Sequence, residues 1–411
     1  MPDLASSAST HQVETIGGGI TAPAGFRAAG VSCGIKASGL DFALVVPDTT
    51  ASAAGLFTTN RAQAPPVVLS REHLVRSGGC ANAIVVNSGC ANACTGAAGV
   101  EVAHRTAELV GQRLGCSADH VLVASTGVIG VALDFDKVSK GVQAGLQALR
   151  GDGGHNAALA IMTTDVSPKE TAVRVDTSEG SFHIGGMAKG AGMIEPMMAT
   201  MLACVTCDAS VPPPVLHRAL TAVTAETFNA ITVDGECSTN DCVFALASGQ
   251  SGVEIDDRRY PALVDGLRVV CHYLATEIVR GGEGATKLVT VRVSGARDRA
   301  DARRAARTIA NSPLVKTAIH GGDPNWGRLV AAAGRSGVPF NLDGATVTIG
   351  PVVLFKNGRP FDDAAPQAAD YLRGKEVTIE VDLGTGGSHD AIMWTCDFSA
   401  EYVRINADYR T

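Results

Sequence analysis

The residues best suited to chemistry lie in one run, residues 187–208, which reads MAKGAGMIEPMMATMLACVTCD. A glycine-rich stretch opens the run, and Ala199-Thr200 then stands ahead of an apolar segment. A threonine flanked by small residues can serve as a nucleophile whose own α-amino group is the base, once the peptide bond before it is cut. The same pattern is typical of a glycine-rich turn that leads into a buried strand or helix. Composition alone favours the turn.

A second group of residues could stabilise an oxyanion. Residues 121–124 predict a strand, and STGVIG follows at residues 125–130. A strand that ends in a glycine-containing turn exposes backbone N–H groups, and here a threonine hydroxyl stands beside them. Many strand ends share this composition, so the signal is weak by itself.

Three further motifs have a structural explanation that competes with a functional one. GGEGATK at residues 281–287 is rich in glycine but lacks the residue order of a phosphate-binding loop. Cys204 and Cys207 form a C-x-x-C pair without the second pair of ligands that a zinc site needs, so we predict no metal. Three polar residues of FNAITVDGECSTND, residues 228–241, either bind substrate or hold a turn, and we favour the turn: Asp234, Asn240 and Asp241.

Hydrophobic periodicity predicts the elements that must position these residues. Strands are predicted at residues 42–46, 84–86, 121–124, 172–175, 181–184, 288–293, 345–349 and 377–381. Helices are predicted at residues 100–114, 136–149, 215–225, 260–280 and 302–310. The prolines at 212–214 predict an exposed turn, and the small polar residues before Gly17 predict a loose N-terminal segment.

Length and composition bound the class of protein. The chain has 411 residues, of which 45% are hydrophobic and 18% charged, as expected of a globular protein with two or three lobes. A net charge of −7 argues against a nucleic-acid partner. No apolar run reaches the ~20 residues that span a bilayer, so we expect no membrane partner. The N-terminus lacks the features of a secretory signal and the eleven cysteines are scattered, which favours the reducing cytoplasm.

The run KGAGMIEPMMATML, residues 189–202, resembles the signature of the ornithine acetyltransferase family, also called the glutamate N-acetyltransferase or ArgJ family. Similar blocks occur in the family's order from about residue 17 to the C-terminus. They are NSGCANACTG, STGVIG, FNAITVDGECSTND, GGEGATK, NSPLVKTAIHGGDPNWGRL and INADYRT. The chain departs from the family's pattern at Glu236, Cys237 and Gly281.

The resemblance implies an α/β fold of the DmpA/ArgJ type, with stacked β-sheets flanked by helices in two lobes. In that family the chain cuts itself, here between Ala199 and Thr200. The implied domains are a loose segment at residues 1–16, an α chain at 17–199 and a β chain at 200–411. Family members associate as α2β2 heterotetramers, and we expect the same self-association here.

The implied activity is an acyl transfer in arginine biosynthesis. The acetyl group of N2-acetyl-L-ornithine passes to L-glutamate by a ping-pong mechanism through an acetylated Thr200, without a cofactor. Some family members also accept acetyl-CoA as a co-substrate. The resemblance makes Thr200 the nucleophile and assigns Thr126 and Gly127 to the oxyanion hole. It assigns substrate binding to Thr163, Lys189, Thr200, Glu283, Asn406 and Thr411, with Thr164 as an alternative to its neighbour Thr163.

Two other functions are compatible with parts of this pattern. A self-processing aminopeptidase or amidase of related fold would use the same nucleophile but pass the acyl group to water. A binding protein without catalytic activity would stay uncut. The blocks STGVIG, GEGATK and NADYRT favour the transferase over the aminopeptidase, and the intact mass would distinguish the binding protein.

Overall fold

Strands and helices alternate along the chain, and the computed structural model describes residues 11–195 and 201–408. The strands of the described part are, in chain order, β1 (His11–Ile16), β2 (Phe26–Val31), β3 (Phe42–Pro47), β4 (Ala51–Phe57), β5 (Cys80–Ala81), β6 (Ala83–Cys90), β7 (Val121–Val128), β8 (Lys169–Thr177), β9 (Gly180–Lys189), β10 (Leu202–Cys207), β11 (Cys242–Ala247), β12 (Leu288–Ala296), β13 (Thr346–Ile349), β14 (Val352–Lys356), β15 (Arg359–Pro360), β16 (Glu376–Asp382) and β17 (His389–Cys396). The α-helices there are α1 (Pro65–Arg76), α2 (Gly96–Leu114), α3 (Phe135–Ala148), α4 (Gly154–Ala160), α5 (Pro213–Thr224), α6 (Tyr260–Arg280), α7 (Arg299–Ala310), α8 (Pro313–Gly321), α9 (Trp326–Gly334), α10 (Ala365–Tyr371) and α11 (Ala400–Asp408).

The strands that flank the nucleophile motif belong to the largest sheet of the described residues. Its order is β1-β8-β9-β10-β11-β4-β5. Strand β10 runs antiparallel to β9 on one side and parallel to β11 on the other. All six residues of β10 are buried, because both faces of this sheet are covered.

Alternation along β10 and its neighbours divides the core into two layers. Ala203 and Val205 face helices α5 and α6, whereas Leu202 and Cys204 face a second sheet of order β2-β3-β6-β7. The outer face of that second sheet packs against α2 and α3. The lobe is therefore a stack of helices, two sheets and helices.

The other lobe is built on a sheet of order β15-β14-β13-β16-β12-β17 within the described residues. Its apolar face packs against α7, α8, α9 and α10. Trp326 stacks on Phe355 with ring centroids 5.1 Å apart, as a packing residue of this lobe. The two lobes meet where the rings of His272 and Trp394 lie edge to face and the Thr232 N–H donates to the Trp394 carbonyl.

The predicted α/β class, with stacked sheets flanked by helices and two lobes, is confirmed. Two local predictions are wrong. Residues 11–16 are not loose, because they form β1 and pair with β8. The prolines do not make an exposed turn: Pro213 begins α5, where the missing proline N–H leaves no helical hydrogen bond unmade.

The predicted loose residues 1–10 lie outside the described part of the chain. Among residues 11–195 and 201–408, no helix combines the length and the apolar character needed to cross a membrane.

Candidate active site

The predicted oxyanion donors lie at the end of β7, where it meets β6 closely. Gly127 has φ of +129°, and a Cβ there would overlap the Gly89 carbonyl carbon. The parallel register between the two strands shifts at this point. Only glycine fits, so the Gly127 position lets the strand ends approach and leaves the Thr126 side chain half-buried beside them.

A side chain from the loop before β11 holds these strand ends together. The Asn240 amide donates to the Ala91 carbonyl at 2.6 Å and to the Ser125 carbonyl at 2.9 Å. Ser125 also donates to Asn87 at 2.6 Å, so both strands are tied. Asn240 therefore has a structural role, but the backbone that it holds is that of the strand ends next to Thr126 and not a local turn.

Lys189 reaches the same point from the end of β9. It is buried, and its Nζ donates to Thr126 Oγ1 at 3.2 Å. An ammonium group has no acceptor, so the Thr126 oxygen accepts this bond and its own proton is left to donate elsewhere. Leu202, the first residue of β10, pairs with Lys189. The chain thus re-enters the described structure beside this lysine.

Burial is the largest influence on the Lys189 ammonium and lowers its pKa below that of an ordinary lysine. The negative charge of Asp165 opposes this effect most strongly, and the positive charge of Lys169 adds to it. Asp241 and Glu283 also oppose it.

Glu283 and Asn406 form the acidic side of the site. Glu283 is buried, and its Oε2 accepts from Asn406 Nδ2 at 2.8 Å. Its backbone N–H donates to the Ala191 carbonyl at 2.8 Å, which ties it to the chain that leaves β9. A Cβ on Gly192 would lie 2.5 Å from the Glu283 carboxylate, so glycine is needed for that approach.

These residues define the candidate site: Thr126, Gly127, Lys189, Glu283 and Asn406. It presents a hydroxyl and a backbone donor near a cation, with a carboxylate within electrostatic reach of that cation. Such an arrangement suits a small substrate that carries both charges and a carbonyl group, as an acylated amino acid does.

Comparison with known proteins identifies the family. A sequence model of the ArgJ family matches residues 27–411. The chain belongs to the ArgJ family. A relative named arginine biosynthesis bifunctional protein ArgJ, from Gloeobacter violaceus, is 49% identical and covers 97% of this chain and 99% of its own. One of the same name from Synechococcus is 48% identical over 97% of this chain and 99% of its own.

A solved structure of arginine biosynthesis bifunctional protein ArgJ from Bacillus halodurans is also similar to this chain. It is 42% identical, covers 50% of this chain and 97% of that one, and has a TM-score of 0.48.

Sequence reasoning missed one buried acid of this ArgJ-family site, Asp165. It ends the run AALAIMTTD, in which only the threonines drew attention. Its Oδ1 accepts from Lys169 at 2.5 Å and from the Gly190 N–H at 2.7 Å, and its Oδ2 accepts from the Thr163 N–H at 3.0 Å. Burial by itself raises the pKa of Asp165, but the charges of Lys189 and Lys169 outweigh it and bring the pKa to about 2.

A second missed contact lies between Asp234 and Tyr402. Asp234 accepts from the N–H groups of Met193 and Ile194 at 2.6 and 2.8 Å, and from the Tyr402 hydroxyl at 3.2 Å. Burial raises the pKa of that hydroxyl, and Asp234 raises it further. Asp234 therefore holds residues 193 and 194 of the nucleophile motif, ahead of Thr200.

The remaining predicted residues divide into two groups. Thr163 and Thr164 are both half-buried, and only the backbone of Thr163 bonds to Asp165, so the choice between them stays open. Ala199, Thr200 and Thr411 lie outside the described residues. The roles assigned to all the predicted site residues stay predictions.

Parts of two motifs with competing explanations serve the fold of this ArgJ-family chain, apart from Glu283 of GGEGATK, which lies in the candidate site. Lys287 of GGEGATK donates to the carbonyls of Ile319 and Leu372, which are protein groups and not a phosphate. Cys204 and Cys207 point into different core layers, because three residues along a strand reverse the face. Within residues 11–195 and 201–408, no group of three or more histidine, cysteine or acidic side chains is placed to bind a metal.

Proposed function

We propose that this protein is a glutamate N-acetyltransferase that moves the acetyl group of N2-acetyl-L-ornithine to L-glutamate. Its membership of the ArgJ family supports the assignment, since the relatives are named for arginine biosynthesis. Their names also describe them as bifunctional, which supports a second reaction here, the formation of N-acetylglutamate from acetyl-CoA.

The observation that carries the mechanism is the hydrogen bond from Lys189 to Thr126 Oγ1. It leaves the Thr126 proton free to bond to the oxyanion of a tetrahedral intermediate, together with the Gly127 N–H. Removal of one such donor lowers kcat by about 10²–10³-fold in other acyl-transfer enzymes. This arrangement therefore favours acyl transfer over simple binding.

The nucleophile in this proposal is Thr200, the residue before Met201 in the chain. Thr200 Oγ attacks the Ala199 carbonyl carbon, the peptide C–N bond breaks, and the nitrogen takes the hydroxyl proton. Water then hydrolyses the resulting ester, which leaves a carboxylate on Ala199 and a free α-amino group on Thr200. A free α-amino group has a reference pKa of about 7.7–8.0, close to the pH at which a general base must work.

The transfer itself takes place in two half-reactions. Thr200 Oγ gives its proton to its own amino group and attacks the acetyl carbonyl of acetylornithine, and ornithine leaves with that proton on its nitrogen. The amine of glutamate then attacks the acetyl ester, forms N-acetylglutamate, and returns a proton to Thr200 Oγ. Atoms and protons balance over the cycle.

The charged residues of the candidate site recognise the two amino acids. Lys189 pairs with a carboxylate that ornithine and glutamate share, and Glu283 with the side-chain ammonium of ornithine. Asn406 orients Glu283 through its hydrogen bond. Thr163 and the C-terminal Thr411 complete the substrate contacts, and the cut chains associate as an α2β2 assembly in this proposal.

The aminopeptidase alternative differs only in its acceptor, water in place of glutamate. Relatives 45% to 49% identical carry the ArgJ name, which favours the transferase.

The test combines intact mass with an acceptor assay on the purified full chain and on two variants. We expect two fragments, the second beginning at Thr200, and acetyl transfer from acetylornithine to glutamate faster than to water. The Thr200→Ala variant should stay uncut and inactive, whereas Thr200→Ser, which keeps a hydroxyl, should still be cut. A wild-type chain that stays whole, or that releases only acetate, would contradict the proposal.

A further inference from the structure

Beside the candidate site, two buried ammonium groups lie within electrostatic reach of one carboxylate, and only one of them bonds to it. The side chain of Asp165 is fully buried and that of Lys169 is 2% exposed. Lys189, also buried, interacts electrostatically with both. The Asp165 carboxylate bonds directly to Lys169, whereas the Lys189 ammonium bonds to Thr126.

Burying two cations around one anion lowers the stability of the fold. Such an arrangement therefore suggests a functional reason. An unpaired buried charge is strongly destabilising, and like charges repel more in a low dielectric than in water. Lys36 adds a third, half-buried cation, which donates to the Met162 carbonyl at 3.1 Å and interacts with Asp165 and Lys189. A site that only had to neutralise Asp165 would need Lys169 alone.

The hydrogen bonds around Asp165 explain what the second buried lysine, Lys189, contributes. Both oxygens of Asp165 are occupied, by Lys169 and by the N–H groups of Gly190 and Thr163. Lys189 is next to Gly190 in the chain, close enough to feel the negative charge, while its Nζ bonds to Thr126. The Asp165 charge therefore stabilises the Lys189 ammonium, and that ammonium does not form a direct ion pair with Asp165.

We propose that Asp165 is a positioning residue of the acetyl transfer and holds Lys189 as a cation against Thr126. Lys169 bonds to the Asp165 carboxylate and so leaves Lys189 available to substrate. The inference rests on the proposed function and deepens it. Asp165 acts through Lys189, through the Gly190 N–H beside it, and through the Thr163 N–H.

The direction of the effect on pH dependence follows from the charges that face Lys189: Lys36, Asp165, Lys169, Asp241 and Glu283. The contribution of cationic Lys189 is complete below its pKa and is lost as pH rises through it, whereas the loss at low pH belongs to the α-amino group of Thr200. Asp165→Asn removes the strongest influence that raises this pKa, so the loss should come at lower pH. Lys169→Met removes a neighbouring cation that lowers it, so the loss should come at higher pH.

The experiment is the pH dependence of kcat/KM for acetylornithine, at fixed glutamate, because this quantity reports the ionisations of the free enzyme. The fall of kcat/KM at high pH is the alkaline limb of this profile. For Asp165→Asn we expect the alkaline limb to shift to lower pH by about 1–3 pH units, the usual effect of a close charge. For Lys169→Met we expect it to move up. In the double variant Asp165→Asn/Lys169→Met, which restores the net charge, the limb should return towards the wild-type position.

Asp176→Asn is the matched control, because it makes the same chemical change at a half-buried position near the far end of β8, where Asp176 bonds to Arg174 and Ser181. It should leave the alkaline limb in place. Titrations of the substrates are identical for every variant and cannot produce a difference between them.

Limbs that stay in place in both single variants, or that move in the same direction, would overturn the inference. If Asp165→Asn does not fold, the result for Lys169→Met is sufficient: an alkaline limb that stays in place or shifts to lower pH in that variant overturns the inference.

The ¹³Cε resonance of Lys189, assigned with a Lys189→Met variant, gives a second readout that needs no activity and should titrate at lower pH in Asp165→Asn. A wild-type enzyme without acetyl transfer would defeat the proposed function, whereas an active one with an unmoved Lys189 titration would defeat only this inference.

Discussion

At the scale of single residues, the charged groups of the candidate site bond to neutral partners. Lys189 donates to Thr126, and Glu283 accepts from Asn406. Two opposite charges that bonded to each other would neutralise their attraction for a charged substrate. Neutral partners fix the position of each side chain and leave its charge to act on the substrate.

Two glycines, Gly127 near the end of β7 and Gly130 in the loop after it, show two different reasons for which glycine is used here. We expect Gly127→Ala to lower kcat by about 10²–10³-fold, because the added Cβ overlaps Gly89 and must displace the proposed oxyanion donors, Thr126 and Gly127. Gly130 has φ of +79° with no atom within 4 Å of an added Cβ. Gly130→Ala should therefore destabilise the protein by about 1–2 kcal/mol through backbone strain, with kcat little changed.

Steady-state kinetics and thermal unfolding of both variants check this prediction. Equal losses of kcat in the two variants would show that backbone strain, and not the close approach of β6 and β7, controls the site.

At the scale of elements, the site exists because the ends of separate strands meet. Lys189 ends β9, Thr126 lies near the end of β7, and Met201 comes directly before β10. The first two belong to different sheets. The loop before β11 connects those sheets through the Asn240 amide.

We expect Asn240→Ala to destabilise the protein by about 1–3 kcal/mol, because two buried carbonyls lose their donor. It should also lower kcat, since Ser125 and its neighbour Thr126 are no longer held. Asn82 is the matched control: it lies before β6, at the end away from the site, and bonds to Thr50 and His120. Asn82→Ala should lower the unfolding temperature without a comparable loss of kcat.

Thermal unfolding and kcat of the two asparagine variants test the assignment. An Asn240→Ala enzyme with normal kcat would mean that the two Asn240 hydrogen bonds stabilise the fold without positioning the proposed oxyanion donors.

At the scale of the whole molecule, the predicted α and β chains share one sheet. Strand β10 of the predicted β chain pairs with β9 of the predicted α chain over six residues, and β11 pairs with β4 over six more. Both faces of this sheet are covered by buried apolar side chains. Cutting the chain before Thr200 would therefore remove one covalent bond and leave the shared core intact.

We expect the two fragments to co-elute in size-exclusion chromatography under native conditions, including at 1 M salt, since apolar burial and sheet hydrogen bonds are little screened. Denaturing electrophoresis of the same peak should separate them. Fragments that elute separately under native conditions would contradict the prediction that the two chains share one sheet.

The sequence by itself determined about half of the strands and helices that the structure describes, and the order of the motifs. The helix predicted at residues 260–280 has those bounds in α6, because its apolar residues recur at helical spacing. The strand pair around residue 178 is the hairpin of β8 and β9. Local periodicity and local turns are properties of neighbouring residues, so a single sequence is enough to reveal them.

Only the tertiary structure decided which of these residues act together. Lys189 and Thr126 are 63 residues apart, and Asn406 and Glu283 are 123 apart. The role of Asp165 was invisible in the sequence, because a buried acid with three donors looks like any other acid beside threonines. Pairing across sheets depends on which apolar faces cover one another, and that choice is made by the folded core as a whole.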